Sequence, residues 1–196
     1  MTAQDLIVVS VGTDHHPFDR LVGWMDDWAA TRPDLKIVIQ RGSAGPTANA
    51  ESHALIAHTE LCDLFASATA VVSHGGPSTV MDIRAAGRLP IVFPRDPAYG
   101  EHIDDHQLRF GQHLARHDLA RITFTTDQLA SALAAALDSP DDYRVSVEST
   151  PAPGVIAFGR VVDDLIGAVT PVFADTAGSV SAEFSAGSGS QEEGPQ

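Results

Sequence analysis

The sequence is poor in cysteine, in lysine and in long apolar runs, and each shortage excludes a class of protein. Cys62 is the single cysteine among 196 residues, so the chain forms no internal disulfide and supplies no cluster of thiolates to a metal. Lys36 is the single lysine, and 12 basic residues face 26 acidic ones, for a net charge of −14. Nucleic-acid binders contact phosphates through clustered positive charge, which this chain does not have. We therefore expect no nucleic-acid partner.

No uninterrupted apolar stretch reaches the roughly 20 residues that a membrane-spanning helix needs. Residues 1–5, Met-Thr-Ala-Gln-Asp, lack the basic segment with which a secretory signal begins. These two features predict a cytoplasmic protein, which would reach the inner face of a membrane only through a partner.

Apolar runs of two periodicities alternate along the chain, and hydrophobic residues make up 43% of it, enough for one core. Short β-branched runs predict strands at 6–11, 35–39, 70–73, 91–93 and 121–125. Apolar residues at helical spacing predict helices at about 18–29, 60–66, 79–86, 104–117, 127–137 and 161–169. Thr59 and Thr126 are of a type that caps helices and are expected to precede two of them. Strands alternating with helices predict an α/β fold, a single Rossmann-like parallel-sheet domain spanning residues 1–173.

Residues 174–196 differ in composition from the rest of the chain, being rich in Ser, Gly, Ala, Glu and Pro. Their ionisable side chains are all acidic. Such a segment buries too little apolar surface to offset the entropy of ordering it, so we expect a disordered C-terminal tail.

Polar loops follow the predicted strands, and in a parallel sheet ligands bind where the strands end. The loops at this edge are residues 12–16, 59–60, 74–78 and 94–102. Three of the four are dense in Gly, His, Ser, Thr or Asp. The ligand site is therefore expected among them.

The segment Ser-His-Gly-Gly-Pro-Ser-Thr at 73–79 joins a buried strand to a helix. Two glycines allow a close backbone approach, and a helix start offers unpaired N–H groups and the positive end of a dipole, which suits a phosphate or diphosphate. Ser78 or Thr79 would then contact a ligand oxygen. The alternative is a tight turn at Gly75 and Gly76 with Ser78 as a simple cap. No Walker A motif is present, so a P-loop nucleotidase is not expected.

The segment Tyr-Gly-Glu-His-Ile-Asp-Asp-His-Gln at 99–107 is the second polar concentration. His102 and His106 would share a helix face, but Ile103 stands where the H-E-x-x-H zinc motif has Glu, and no third ligand is evident. We therefore predict no metal site. Hydrogen-bonding side chains here suit the hydroxyls of a sugar, and a solvated helix start is the alternative. The candidates for contacts to a sugar are Glu101, Asp105, His106 and Gln107.

Asp82 lies one helical turn beyond Ser78 on the helix that the glycine turn begins. A carboxylate there can accept hydrogen bonds from two neighbouring hydroxyls, as a ribose presents them. An acidic residue at the surface of the helix is the other interpretation.

Three stretches of the sequence together resemble one known family. They are Val-Ser-Val-Gly-Thr at 9–13 with Pro-Phe-Asp-Arg-Leu at 17–21, Val-Val-Ser-His-Gly-Gly-Pro-Ser-Thr at 71–79, and Pro-Arg at 94–95 with residues 99–107. They are similar to the carboxyl-terminal, donor-binding half of glycosyltransferase family 28, and within it to small stand-alone subunits of two-component transferases. Such subunits act in bacterial exopolysaccharide synthesis and in the dolichol-linked N-acetylglucosaminyltransferase. The resemblance runs in order from about residue 6 to residue 169.

The resemblance implies a role for each matching position. Gly12 and Thr13 would lie beside the phosphates or the domain cleft, and the turn from Thr59 to Leu61 would hold the uracil edge through backbone groups. The diphosphate would face His74, Gly75 and Gly76, with Ser78 and Thr79 at the helix start beyond them.

The ribose hydroxyls would bind Asp82, and the donor sugar would bind His106 and Gln107. The chain has Asp82 where the peptidoglycan enzyme has Glu, and His-Gln where that enzyme has two glutamines. The first difference preserves a carboxylate for the ribose, whereas the second leaves the identity of the sugar open.

The resemblance further implies the C-terminal half of a GT-B fold, in which the active site lies between two domains. The expected function is a UDP-sugar-binding catalytic subunit of an inverting transferase, without a required metal or other cofactor. It would move a hexose-type sugar (GlcNAc, glucose or glucuronate) to a lipid-linked or polysaccharide acceptor held by a membrane-associated partner subunit. His15 and His16, in the first loop, are candidates for a proton-transfer role, with a plain loop role as the alternative. Besides the partner subunit, a second copy of the chain is a candidate partner, forming a homo-oligomer.

Two other functions are compatible with the same domain. A non-catalytic nucleotide-sugar sensor or partner-regulating module would bind a UDP-sugar without transferring it. A UDP-sugar epimerase or hydrolase would need its catalytic groups within this chain. Resemblance of fold does not separate these functions.

Overall fold

A computed structural model describes residues 4–146 of the chain, which form one parallel sheet flanked by helices. The strands are β1 (Leu6–Ser10), β2 (Lys36–Gln40), β3 (Glu51–His53), β4 (Ala70–Ser73), β5 (Ile91–Val92) and β6 (Arg121–Ile122). The helices are α1 (Asp19–Thr31), α2 (His58–Ser67), α3 (Pro77–Ala85), α4 (His106–Arg116) and α5 (Thr126–Asp138). Short 3₁₀ turns lie at Pro97–Tyr99 and Pro140–Tyr143. The predicted α/β class with a parallel sheet is confirmed.

The six strands are ordered β3-β2-β1-β4-β5-β6, and every neighbouring pair is parallel. The chain runs outward from β1 to β3 and then returns to pair β4 with the other side of β1, so the order reverses between β1 and β4. A crevice opens at such a reversal because the loops after the two central strands leave toward opposite sides.

The central strands are covered on both faces, as their continuous apolar runs predict. Ile7 and Val9 of β1 pack in a cluster with α1 and α5, whereas Val8 points into a second cluster beneath α2 and α3. All three side chains are fully buried. The alternation follows from the two-residue period of a strand and places helices on both faces of the sheet.

Two predicted helix caps and one strand differ from the sequence expectations. Thr59 does not cap α2, which begins at His58 after Ala57. Thr125 rather than Thr126 caps α5, and its side chain accepts a hydrogen bond from the N–H of Gln128. The pattern also did not predict β3, because this edge strand is polar and exposed or half-buried and so has no apolar signature.

The predicted helix at 161–169, the C-terminal part of the domain at 147–173 and the tail at 174–196 lie outside the described residues. Within residues 4–146, none of the helices has the length and apolarity to cross a bilayer.

Arg95, which follows β5, is 1% exposed and holds together the loops at the carboxyl edge of the sheet. Its Nη1 donates to the carbonyl oxygens of His16 (2.7 Å) and Glu101 (3.1 Å), and its Nη2 donates to that of Val11 (3.0 Å). The guanidinium carbon lies 4.8 Å from the centre of the Phe18 ring. One buried cation therefore joins the loop after β1 to the loop after β5.

A second arginine reinforces this junction from α1. Arg20 forms a two-pronged ion pair with Glu101, with Nε to Oε1 at 2.8 Å and Nη2 to Oε2 at 2.7 Å. Glu101 Oε2 also accepts the N–H of Asp96 at 2.9 Å. The carboxylate of Glu101 is thereby used in holding the loops.

We expect Arg95→Met to lower the free energy of unfolding by roughly 3 kcal/mol, because three buried carbonyl groups lose their donor. Chemical denaturation monitored by circular dichroism measures the loss. Arg109→Met is the matched control, since the Arg109 side chain is 78% exposed and makes only a surface pair with Asp105. The control change should stay within about 0.5 kcal/mol. Equal effects of the two substitutions would contradict the role given to Arg95.

Candidate functional site

A cleft of about 550 Å³ opens at the point where the strand order reverses, between the loops after β1 and β4. Eight predicted site residues line it: Gly12, Thr13, Leu61, His74, Ser78, Thr79, Asp82 and Gln107. Seven lining residues were not singled out from the sequence: Ser10, Asp14, Gln40, Leu55, Ile56, Ala57 and His58. Ser10 and Gln40 are the last residues of β1 and β2, so their position at strand ends was the signal that could have identified them.

The imidazole of His74 forms the floor of the cleft. Its ring leaves no space for a side chain at two neighbouring positions, Gly12 and Gly76. A Cβ atom at Gly12 would lie 2.6 Å from Cε1 of His74, and one at Gly76 would lie 2.9 Å from the same atom. Gly12 also has a φ of +74°, which favours glycine. Both glycines therefore make room for the ring of His74, in addition to any approach by a ligand.

Gly75 is required for another reason. Its φ is +86°, and a Cβ there would lie 2.7 Å from Cγ1 of Val92 on the neighbouring strand. The pair Gly75-Gly76 thus makes the tight turn that was one interpretation of the sequence. The other interpretation, a close approach of the backbone to a phosphate, is compatible with the cleft beside this turn.

His74 is 8% exposed, and its environment favours the neutral ring. Burial lowers its pKa to about 4, and the positive charge of Arg95 acts in the same direction. Nδ1 lies 3.3 Å from the carbonyl oxygen of Ser10, which only accepts, so the neutral tautomer carries its proton on Nδ1. Nε2 is then an acceptor on the side of Gly12 and Gly76.

The N-terminus of α3 forms one wall of the cleft and has no side-chain cap. Gly76 is the N-cap residue and Pro77, at the first helical position, has no N–H to donate. Ser78 is exposed and Thr79 half-buried, so neither serves as the simple cap that the sequence allowed. Ser78 and Thr79, whose N–H groups have no carbonyl partner within the helix, line the cleft at the positive end of the helix dipole.

The opposite wall comes from the end of β2 and the segment 55–58 that leads into α2. Gln40 joins these parts, since its Oε1 accepts the N–H of Ile56 at 3.3 Å and its Nε2 lies 3.4 Å from the carbonyl oxygen of Gly12. Leu55 is 67% exposed and adds an apolar surface at the mouth. Leu61 lines the cleft but Thr59 does not, so the lining turn lies a few residues before the predicted one.

Asp82 extends from α3 to the mouth of the cleft, and its side chain is 33% exposed. Its Oδ2 lies 3.1 Å from Nε2 of His58 on α2. The carboxylate thus faces the cleft near the apolar wall of Leu55 and Leu61.

Asp14 is held between two histidines above the floor of the cleft. Its Oδ1 accepts the backbone N–H and the ring Nδ1 of His16, both at 2.7 Å, and its Oδ2 lies 3.5 Å from Nε2 of His102. Burial acts to raise the pKa of Asp14, but the hydrogen bonds from His16 and the charge of Arg95 outweigh it and lower the pKa to about 2. Asp14 is therefore ionised, and it orients the ring of His16. His15 is 85% exposed and approaches Asp14 only at 3.6 Å.

Of the candidates for contacts to a sugar, only Gln107 lines the cleft. It is 6% exposed, and its Oε1 lies 3.4 Å from the backbone N of Arg95. Glu101 is buried in its ion pair with Arg20, and Asp105 forms an exposed pair with Arg109. His106, at the start of α4, contacts Asp104 outside the cleft lining.

Three groups within residues 4–146 each bring three possible metal-ligand atoms within 4.8 Å of one another. Two contain only histidine and aspartate: Asp14 with His15 and His16, and His102 with Asp104 and His106. The third combines His58, Cys62 and Asp82 at the mouth of the cleft.

The burial of neutral His74 predicts a specific dependence of stability on pH. The unfolded chain takes up a proton near pH 6.5 and the folded chain only near pH 4, so stability is full above 6.5 and falls as the pH drops toward 4. We expect a loss of about 3 kcal/mol across this range. Urea denaturation of the wild type and His74→Asn at several pH values measures it, and the variant should show a flatter dependence. Parallel curves for the two proteins would contradict the inference.

Comparison with solved structures identifies similar folds. The glycotransferase of kitacinnamycin has a TM-score of 0.53 at 21% identity, over 71% of this chain and 36% of that one. CalG4, the calicheamicin glycosyltransferase, has a TM-score of 0.52 at 16% identity, over 84% and 44%. The UDP-GlcNAc 2-epimerase from Neisseria meningitidis, solved with UDP-GlcNAc bound, has a TM-score of 0.50 at 11% identity, over 85% and 45%. The chain thus spans less than half the length of each.

These likenesses confirm the expected architecture, one domain of the GT-B glycosyltransferase fold. No curated protein sequence matched the chain. Residues 6–152 match the glycosyltransferase family 28 C-terminal domain, which is three quarters of the chain and includes every residue of the cleft. The chain therefore belongs to the glycosyltransferase family 28 C-terminal domain family.

Proposed function

We propose that this domain binds the UDP part of a UDP-sugar and positions the sugar for inverting transfer to an acceptor. The observation that carries the proposal is the uncapped N-terminus of α3 at the switch-point cleft, with the carboxylate of Asp82 on the same helix. A diphosphate and a ribose are the two parts of a nucleotide that these groups suit.

The diphosphate would lie against the first turn of α3, where the N–H groups of Ser78 and Thr79 are available. Among the lining residues, all within the described part of the chain, there is no arginine or lysine, so the anion would be held by backbone donors and the helix dipole. The same groups stabilise negative charge that develops on the departing UDP, and they need no metal to do so. The transfer proposed here therefore has no required cofactor.

The nucleoside would occupy the other side of the cleft. Uracil would contact the segment 55–57 and Leu61, where apolar side chains line the cleft just before and within α2. Asp82, at the mouth, would accept hydrogen bonds from the ribose hydroxyls.

The donor sugar would lie toward the loop after β5, with the amide of Gln107 as the available polar group in the lining. We propose a hexose-type sugar: GlcNAc, glucose or glucuronate. His106 would contact the sugar only after its ring gives up the hydrogen bond with Asp104. Glu101 would act through the loop that it holds with Arg20 rather than by direct contact.

The acceptor would bind on a second domain that faces this cleft, as the two-domain fold requires. We propose that a membrane-associated partner subunit carries it and that the acceptor is lipid-linked or a polysaccharide. A nucleotide-sugar sensor would bind the same ligand, but it would show no transfer with any acceptor-binding component.

Asp82→Asn should weaken UDP binding about tenfold or more, because hydrogen bonds to a charged carboxylate contribute roughly 1.5–3 kcal/mol. Calorimetric titration with UDP and 2′-deoxy-UDP measures it. The wild type should prefer UDP over the deoxy compound, and the variant should lose most of that preference.

Asp63→Asn is the matched control, since Asp63 is an exposed carboxylate on α2 that does not line the cleft. This substitution removes the same charge from an acidic surface and should leave both affinities unchanged. No heat on titration of the wild type with UDP would overturn the proposed function. Unchanged discrimination in Asp82→Asn would remove Asp82 from the ribose site.

His16 is the better placed of the two proton-transfer candidates, because Asp14 fixes its Nδ1 and leaves Nε2 as the acceptor in the neutral ring. We expect His16→Gln to lower kcat about 100-fold in the transferase reconstituted with its acceptor-binding component, with UDP affinity retained. His15→Gln, which changes an exposed ring in the same loop, should leave kcat near that of the wild type. If kcat of His16→Gln were also near that of the wild type, His16 would not be the base, and the base would lie on the other domain.

A further inference from the structure

His58 and Cys62 lie one turn apart on α2, and Asp82 approaches them from α3. Nε2 of His58 is 3.7 Å from Sγ of Cys62 and 3.1 Å from Oδ2 of Asp82. All three ligand atoms lie within 4.8 Å of one another. The proposed function uses only Asp82 and gives the thiol and the imidazole no role.

These separations match a tetrahedral metal centre. Zinc bonds of about 2.3 Å to sulfur and about 2.0 Å to nitrogen and oxygen put tetrahedral S···N neighbours about 3.5 Å apart and N···O neighbours about 3.3 Å apart. In this structure the corresponding distances are 3.7 and 3.1 Å, each close to the tetrahedral value. Helix spacing of four residues keeps two of the three ligands in place.

The electrostatic surroundings also favour a cation. The carboxylates of Asp82 and Asp63 lie close enough to Cys62 to act on it electrostatically, so the potential at the thiol is negative. The same negative potential attracts a divalent ion, which would displace the thiol proton on binding. His58 is 73% exposed, so an ion can enter from solvent and keep water as a fourth ligand.

We propose that His58, Cys62 and Asp82 bind a thiophilic divalent cation of the zinc class at the mouth of the cleft. Thiolate, imidazole and carboxylate together are a typical zinc donor set, whereas Mg²⁺ and Ca²⁺ require oxygen ligands. The other two histidine–aspartate groups lack a soft ligand, which distinguishes them from this one.

The site and the nucleotide compete for Asp82. This part of the proposal rests on the proposed function, in which the carboxylate binds the ribose. A bound ion takes up one oxygen of Asp82 and adds positive charge beside His58, so the cleft loses its ribose acceptor. The metal is therefore an inhibitor of nucleotide binding and has no part in the transfer itself.

Titration of the full chain with Co²⁺ tests the site directly. Cobalt bound to a thiolate gives a sulfur-to-metal charge-transfer band in the near ultraviolet, and Cys62 is the only cysteine of the chain, so this band reports on one site. We expect a saturable band with one equivalent of Co²⁺, abolished by Zn²⁺. Absence of the band in folded protein overturns the proposal.

Variants decide whether the three residues act together. His58→Gln and Asp82→Asn keep the thiol and should each weaken Co²⁺ binding at this band more than about tenfold. His113→Gln is the control, because His113 on α4 forms another histidine pair at four-residue spacing, with His117 just after the helix, and neither belongs to the proposed site. Circular dichroism confirms folding of each variant. A band whose affinity is unchanged in His58→Gln would show a cysteine-only contact and overturn the site.

UDP provides the second arm, with Mg²⁺ in excess so that the diphosphate does not sequester cobalt. At ten times its own Kd, UDP should raise the apparent Kd of Co²⁺ about tenfold if the two exclude each other. If calorimetry shows that UDP binds but the apparent Kd of Co²⁺ does not shift, the mutual exclusion of UDP and metal is overturned, whereas the metal site itself still stands. A cobalt band in a chain that binds no UDP supports the metal site and refutes the proposed function.

Discussion

The buried guanidinium of Arg95 is the interaction on which the carboxyl edge of this sheet depends. It replaces water with three carbonyl oxygens, from the loops after β1 and β5, and it stacks on Phe18. A buried cation is costly unless it is hydrogen-bonded, and the three bonds to carbonyl groups of both loops offset part of this cost. Arg20 and Glu101 add a second cross-link at the same place. The loops after β1 and β5 are thereby joined at the edge of the cleft.

Arg95 also sets the electrostatics of the cleft floor. Its charge acts with burial to keep His74 neutral, and it acts with His16 to keep Asp14 ionised. The same cation thus favours the neutral form of His74 and the charged form of Asp14. The neutral ring packs between Gly12 and Gly76, and the ionised carboxylate orients His16. In the proposed function, anion binding falls to the backbone of α3, whose N–H groups do not change charge with pH.

The two uses proposed for Asp82, ribose binding and metal binding, exclude one another. Asp82 is close enough to His58 and Cys62 for an ion and open enough to the cleft for a ribose. Both proposed uses depend on the position of Asp82 on α3, where it contacts His58 of α2 and lines the cleft. In these proposals, Asp82 binds either the hydroxyls of the ribose or the metal ion, and not both at once.

Local pattern in the sequence determined the secondary structure and the place of the site. Continuous β-branched runs predicted the buried strands β1, β2, β4 and β5, and their alternation with helices predicted the parallel sheet, because these periodicities are short-range properties of the chain. The rule that ligands bind at strand ends placed Gly12, Thr13, His74 and the start of α3 in the cleft before any contact was known.

Tertiary structure decided what each side chain contacts. Arg95 reaches Val11 across 84 positions and Arg20 reaches Glu101 across 81, and no periodicity encodes such pairs. Pattern in the sequence therefore assigned Glu101 to the sugar and did not single out Asp14. These contacts exist only because the reversal of strand order brings separate loops to one edge, which is a property of the whole sheet and not of any segment.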